Sequence, residues 1–513
     1  MHFSGLKPIE DFQSEVEALI AGESRYSKPG VVDFRSFWFP DGIHLADKSF
    51  TEYACFIDAQ FAGPADFSRS RFVKDMNFAG AKLLHDSDFS QAIMEQRAVF
   101  ARSCFRDASF NKAVFKKTSD FRESSFGLRA DFGDAELYSP NFSDSNFTGS
   151  AWFGGARFFE GTSFQCAHFE SGARFPHAKF FGPLSFSYSK HTSEVSFTDA
   201  VFQDAKFDCV HFASSVDFYR AVFAGLASFD MTKFQRVRFE SARFDKGANF
   251  GSATFGDEAE FQDARFGCSL DGLAVADFSN VRFEKPARVW FTQVNKSADI
   301  GLRARFLNCD VEQIHLEDVR WHRRHCRMIL QDEIDVVCDN REWAGKFDKS
   351  RGHELVAIVY RQLINNFDKV RSLDLAEDCY CAAMDMSRRN PHVPLLARLV
   401  LSVYKAFSLY GSSYTRALVV LFSLLLVFAW VFSVPWLGLQ PAPSNPANVQ
   451  MAISTLRRYP AGLVHSLEVA TFQRDAAYVL PLRRGRVATI SEQVSIPIQV
   501  GLLLLALRRR FRR

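Results

Sequence analysis

Large apolar residues recur along the first 300 residues at steps of five and six, which fits neither a helix nor an ordinary strand. The series runs Phe56, Phe61, Phe67, Phe72, Phe78, Leu83, Phe89, resumes at Phe100, Phe105, Phe110, Phe115, Phe121, Phe126, Phe132, Leu137, Phe142, and continues to Phe255, Phe261 and Phe266. A helix face needs recurrence at three and four, a half-buried strand at two. Five-residue steps instead put successive rings on successive sides of a square coil. Four steps close one coil, and equivalent rings then stack at about the 4.8 Å strand spacing. A second column supports the frame. Two residues before each Phe stands a small residue, among them Ala65, Ser70, Ala98, Ala108, Ala113, Ala130, Ala156 and Ala264. Two stretches break the series, 92–100 and the surroundings of His191, and both are expected as loops or protrusions.

The A-x-F core of these units resembles the pentapeptide-repeat family. That resemblance implies a mainly β fold, a right-handed quadrilateral β-helix, over 50–307, after an N-terminal cap region at 1–49 whose aromatic segment 34–40 is the candidate cap. A stacked solenoid needs covered ends, and the segment after Asn308 is the candidate at the other end. Helical spacing of charged and apolar residues is expected over 311–337. It is clearer over 354–389, where Leu355, Ile358, Leu363, Ile364 and Phe367 precede a break at 369–373 and a second helix. That hairpin lies within a helical connector at 308–410, resembles the connector of membrane-associated pentapeptide-repeat proteins, and is expected to pack on the last coil.

The last hundred residues change character. Residues 417–439 carry no charge and are long enough for a bilayer core of about 30 Å. A second apolar stretch, 487–507, contains Glu492 and ends in a basic tail: Arg508, Arg509, Arg510, Arg512 and Arg513. Such a tail favours the cytoplasmic face and anionic lipid. Two crossings place the solenoid and the tail together on the cytoplasmic side of a bacterial inner membrane. The arginine-rich loop between the stretches opposes this, and a re-entrant or interfacial second segment is the alternative. Between them, 459–472 forms a short semi-apolar segment, giving a layout that resembles two-transmembrane ion channels but lacks T-x-G-Y-G. Glu468, Glu492 and His465 are the candidate pore or membrane-site residues. The competing expectation is that both glutamates sit at the interface and pair with arginines.

Composition narrows the function. The 513 residues carry a net charge of only +3, so nothing points to nucleic acid. Between Phe56 and Arg288, 27 Lys and Arg face 30 Asp and Glu, a difference of −3. That is too neutral to imitate duplex DNA, with its charge every ~1.7 Å, so a topoisomerase-binding DNA mimic ranks low. Ten scattered cysteines include no C-x-x-C pair, and free thiols in a reducing compartment are expected. The cluster Trp321-His322-Arg323-Arg324-His325-Cys326 lacks the partner pair a zinc site needs, and reads as a basic face; a hydrolase using it is a minor alternative. No catalytic pattern, metal site or cofactor site stands out. The sequence therefore reads as a non-enzymatic membrane-anchored scaffold contacting membrane lipids and an unknown protein partner. The rival is a homo-oligomeric pore gated by the solenoid in stress or phage defence.

Overall fold

The computed structural model describes residues 9–24, 28–267, 274–284, 288–298, 300–324, 327–338, 351–434, 437, 439–441, 458–473, 478–480 and 483–511. They divide into two compact units, 1–349 with 365–370, and 350–364 with 371–513.

The first unit is a parallel β-solenoid of about 13 turns. Every regular coil contributes one large buried side chain, usually a Phe ring, to each of four inward columns. The first column runs from Phe34 through Phe56, Phe78, Phe100 and Phe121 to Phe278 and Phe306. Consecutive rings lie parallel, as at Phe121–Phe142 with 4.8 Å between centroids and 7° between planes. The second column, from Leu45 through Phe67 to Phe261, faces the first across the interior. Its rings meet the first column edge-on, as at Phe56–Phe67 at 5.7 Å and 83°. Stacking along the axis and edge contacts across it are the two favoured aromatic geometries.

The alternation of five and six has a structural cause. From Phe34 to Phe266, every step that follows the first or second column has five residues and contains a tight turn. There, the residue two places after Phe takes a left-handed backbone, as Asp58 at φ 54° and Arg69 at φ 54° do. The next residue's N–H donates to the Phe carbonyl, as Ala59 does to Phe56 at 3.1 Å. The six-residue steps lie at the other two corners, inside one sheet. These corners tolerate deletion of the extra residue, as between Phe105 and Phe110, where the strand Cys104–Ser109 runs through with a register shift. Two parallel sheets result, each covering two sides, with partners 21 or 22 residues apart over most of the rod, such as Val31↔Tyr53 and Cys104↔Ser125.

Both stretches expected as loops belong to the regular coils. Met94 fills the slot between Phe72 and Phe115 and is fully buried. His191 is 1% exposed and lies flat between Phe169 and Phe212, at 4.8 and 4.9 Å. The series looked broken there because the slot selects shape and burial, not Phe itself. The small column is buried as expected, and hydroxyls in it reach backbone carbonyls of their own or a neighbouring coil: Ser70 Oγ donates to the Phe67 carbonyl at 2.6 Å and Ser103 Oγ to the Phe78 carbonyl at 2.7 Å.

The ends depart further from expectation. Segment 34–40 is not a cap, because Val31–Asp33 and Trp38–Phe39 already pair with the next coil, so coils begin before residue 50. The N-terminal end is covered by helix α1 (Ile9–Ala21). Phe12 stacks on Phe37 at 6.1 Å, and the Gln13 side-chain amide donates to the His44 carbonyl. Residues 311–337 are not one helical region. Ile314–Glu317 is a further parallel strand on Arg288–Thr292, and Leu302 bridges Trp321. Among the described residues, Val311–Gln313 forms a single 3-10 turn and Gln331–Val337 an α-helix, α2. It covers the C-terminal end: the Asp332 carboxylate accepts the Phe306 N–H at 2.8 Å, and Arg305 joins Asp335 to Asp277. Burial lifts the Asp332 carboxyl to about 7 against that hydrogen bond. The hairpin is present as α3 (Gly352–Lys369) and α4 (Leu373–Arg389). The last turn of α3 packs on the final coil, with Phe367 edge-on to Trp321 at 6.0 Å and the Asn366 side chain donating to the Val311 carbonyl at 3.0 Å.

His191 supplies a test of the column. Burial holds its imidazole at about 3, with His168 and His211 adding to the effect. The folded state therefore stays neutral while the unfolded chain takes up a proton below about 6.5. Folding should lose stability as pH falls through the window from 6.5 to 3. In His191→Phe this loss disappears, so the variant's advantage should widen by roughly 3 kcal/mol between pH 7 and pH 4 in urea titrations. Parallel curves for the two proteins would place His191 outside the packed column.

Candidate interaction surface and membrane-facing helices

Outward from the rings, side chains on neighbouring coils lie one rung apart and pair by charge. Arg69 reaches Asp47 at 2.7 Å, Arg129 reaches Asp107 at 3.3 Å, Arg220 reaches Asp199 at 3.0 Å and Arg238 reaches Asp217 at 2.9 Å. Exposed pairs of this kind contribute ~0–1 kcal/mol each. Their larger effect is to intersperse the signs along the rod.

One face breaks the polar pattern. Directly after the fourth-column residues Leu137, Phe158 and Phe180, three outward positions hold aromatics. Tyr138 stacks on Phe159 at 4.6 Å, and Phe159 on Phe181 at 5.3 Å, with Phe181 49% exposed. On the same sheet lies a groove of about 420 Å³ lined by Pro140, Thr162, Pro183, Leu184 and Lys206 among others. The sequence reading passed over this ladder. Its signal was available, since the place after the inward ring is polar in most other coils.

The second unit contains α5 (Leu395–Ser408), α6 (Tyr414–Ser433), α7 (Arg458–Ala470) and α8 (Arg483–Phe511). By length and composition, α6 and α8 are long and apolar enough to cross a membrane. The first span is shorter than the expected 417–439, as α6 ends at Ser433. The expected 487–507 lies inside α8 with arginines at both ends. Segment 459–472 is mostly the helix α7, packed against α6 and α8. Gly462 permits the approach, since a Cβ there would overlap the Ala429 carbonyl.

Glu492 is fully buried between these helices and accepts a hydrogen bond from the Ser466 hydroxyl. Among the described residues it pairs with no arginine, which corrects that expectation for Glu492. His465 presents its ring edge to Phe432 at 4.9 Å, and its Nδ1 lies 4.0 Å from Glu468 Oε2. Ser466 also reaches the Leu425 carbonyl at 3.4 Å, so it and its neighbour His465 both meet α6, while Ser466 alone is bonded to Glu492. Of the basic tail, Arg508 is exposed and the Arg509 guanidinium lies 3.5 Å over the Tyr380 ring; Arg510 continues α8, and Arg512 and Arg513 fall outside the described residues. His325 and Cys326 do also, while His322 lies 3.5 Å from an Arg303 nitrogen, and burial lowers its proton affinity. Among the described residues no group of His, Cys, Asp or Glu could hold a metal ion.

A second polar node fixes α5 to α4. The Asp385 carboxylate accepts from Lys405 Nζ and the Tyr410 hydroxyl, both at 2.8 Å, with Arg388 at 3.5 Å. Leu409, Tyr410 and Gly411 then turn the chain through three left-handed residues into α6.

A protein-family description, "Pentapeptide repeats (9 copies)", matches residues 142–190 and 207–254. The solenoid is built of pentapeptide repeats. No curated protein and no solved structure matches the chain. The matched pentapeptide repeats cover the middle of the rod and include two members of the aromatic ladder, Phe159 and Phe181. The His191 unit falls just outside both blocks, where the sequence departs from Phe and the coil does not.

The Ser466–Glu492 contact is open to test. Ser466→Ala removes the hydroxyl and leaves that carboxylate oxygen without its partner in an apolar setting. Thermal unfolding of the full-length protein in detergent should show a loss of about 1–3 kcal/mol. An unchanged transition would mean that Glu492 is not enclosed as described.

Proposed function

We propose that the chain is a non-enzymatic, membrane-anchored scaffold. Its solenoid offers a rigid surface to a protein partner, and α6 and α8 hold it at the bilayer. The observation that carries this reading is the inverted polarity of the two units. The solenoid hides its rings and displays paired charges. The helices hide Ser466, Glu492 and Gln499 and leave apolar side chains such as Val419, Phe422 and Ile498 outside. Exposed apolar surface of that extent marks an interaction or membrane site. Interspersed surface charge favours a protein partner over imitation of duplex DNA, and the ladder Tyr138–Phe159–Phe181 is the natural contact, since aromatic residues are enriched at interface hot spots. With α6 and α8 both crossing, solenoid and basic tail share the cytoplasmic side, which agrees with the preference of the tail arginines for that face and leaves the loop arginines, Arg483, Arg484 and Arg486 among them, on the other.

The pore reading draws on one feature, the buried Glu492 carboxylate, because ionisable groups within membrane segments often mark ion or proton paths. Two measurements separate the readings. Alkaline carbonate extraction of membranes holding the full-length protein should leave it in the pellet, and its release into the supernatant would refute the anchor. Liposomes carrying the full-length protein should hold an ion gradient. A leak altered by Glu492→Gln would replace the scaffold with a pore.

A further inference from the structure

Helix α5 was not separated from the connector by sequence reading, and its polarity is unusual. Leu395, Leu396, Leu399, Val400 and Val403 form one continuous face at helical spacing, and all five are exposed, Leu396 at 75% and Leu399 at 63%. Its polar residues turn the other way, into the protein. Arg398 Nε donates to the Arg388 carbonyl at 3.1 Å, and Lys405 reaches Asp385. A soluble helix of this length would hide the first face and show the second.

The depth of α5 along α8 is fixed by hydrogen bonds. The Gln499 side-chain amide donates to the Ala417 carbonyl at 2.6 Å and to the Phe407 carbonyl at 3.3 Å, so it ties the start of α6 to the end of α5. Arg416 Nε donates to the Ala406 carbonyl at 3.1 Å. Beyond Gln499, α8 stays apolar for eight residues, about 12 Å at 1.5 Å per residue, and then becomes basic at Arg508. Leu504 and Leu505 in that stretch are exposed as well. Helix α5 also packs on α8. It is thus placed beside the end of the apolar run, where hydrocarbon gives way to headgroups.

Resting on the membrane reading of α6 and α8, we propose that α5 is a third membrane element, one that lies in the phospholipid interface and does not cross it. Its apolar face enters the acyl boundary, as in amphipathic interfacial helices that sink about 5–10 Å. The Asp385 node and the left-handed turn at 409–411 hold it at that level. Arg508 closes the apolar run at the depth of lipid phosphates, and Arg416, beside the Gln499 level, holds the Ala406 carbonyl of α5, so that α5 sets the tilt of the anchor by resisting both withdrawal and deeper insertion.

The test is nitroxide depth measurement on the full-length protein in phospholipid vesicles. The thiols exposed among the described residues, Cys104, Cys166 and Cys338, are first replaced by Ser together with the half-buried Cys209 and with Cys268 and Cys326. One label then replaces Leu399 and, in a separate protein, Val419 on α6. Accessibility to oxygen, which concentrates in lipid, is compared with that to a water-soluble nickel chelate. The Val419 label should be strongly accessible to oxygen and shielded from nickel. The Leu399 label should be accessible to oxygen at a shallower depth, with nickel accessibility at least several-fold below that of a label at the exposed solenoid residue Leu226. A Leu399 label as open to nickel as Leu226, with Val419 in lipid, would overturn the interfacial helix and leave the anchor intact. Shielding of Leu399 from both reagents would also overturn it, because another protein surface would then cover α5. A Val419 label in water would instead refute the membrane reading itself.

Discussion

Aromatic stacking at the strand repeat is the constraint on which the first unit depends. Parallel strands repeat at about 4.8 Å, and offset-stacked rings are comfortable at nearly the same distance. The 4.8 Å between Phe121 and Phe142 meets both demands together. Once each coil must place a large side chain, most often a ring, in each of four columns, the remaining choices are narrow. Small residues must stand beside the rings. The corners between sheets must be tight enough to need a left-handed residue. The polar positions must form outward ladders one rung apart. Stability is then spread along the axis through neighbouring coils, as in other solenoids, and the two terminal coils need covers, supplied here by α1 and by α2 with the last turn of α3.

The second unit solves the opposite problem. Its polar groups are gathered inside small networks, Ser466 with Glu492, Gln499 with two carbonyls, and Asp385 with Lys405 and Tyr410. Its apolar side chains face outward. In water this arrangement would be costly, whereas in lipid the hydrogen bonds must close internally and the apolar exterior is unpenalised. The two units therefore suit two solvents, and that difference, more than any single residue, supports a scaffold held at a bilayer.

Much of the first unit was legible because its period is incompatible with helix or ordinary strand, and dozens of units repeat it. What remained hidden followed physical rules less visible in residue names. Met94 and His191 fill ring slots by shape, so a search for Phe sees gaps. The final strand, Ile314–Glu317, is recognised only by its partner Arg288–Thr292, and its charged flanks resemble a helix. Helix α1 carried Phe12, Val16 and Ile20 at four-residue spacing, but a mostly polar context masked it. Segment 459–472 read as semi-apolar because its buried side, with Ala461, Gly462, Ser466 and Val469, is made of small residues that serve helix packing. Glu492 looked destined for an arginine since arginines surround it in sequence; only the fold brings Ser466 to it.

The most direct test contrasts two phenylalanines that the column account assigns opposite roles. Phe153 is fully buried and stacked between Phe132 and Phe175, at 5.0 and 4.7 Å, while Phe181 is outward and 49% exposed. In urea unfolding of the full-length protein followed by near-ultraviolet circular dichroism, Phe153→Ala should lose about 3–5 kcal/mol, and Phe181→Ala no more than roughly 1 kcal/mol. Equal losses from the two substitutions, or the larger loss at Phe181, would contradict inward ring columns as the basis of the fold.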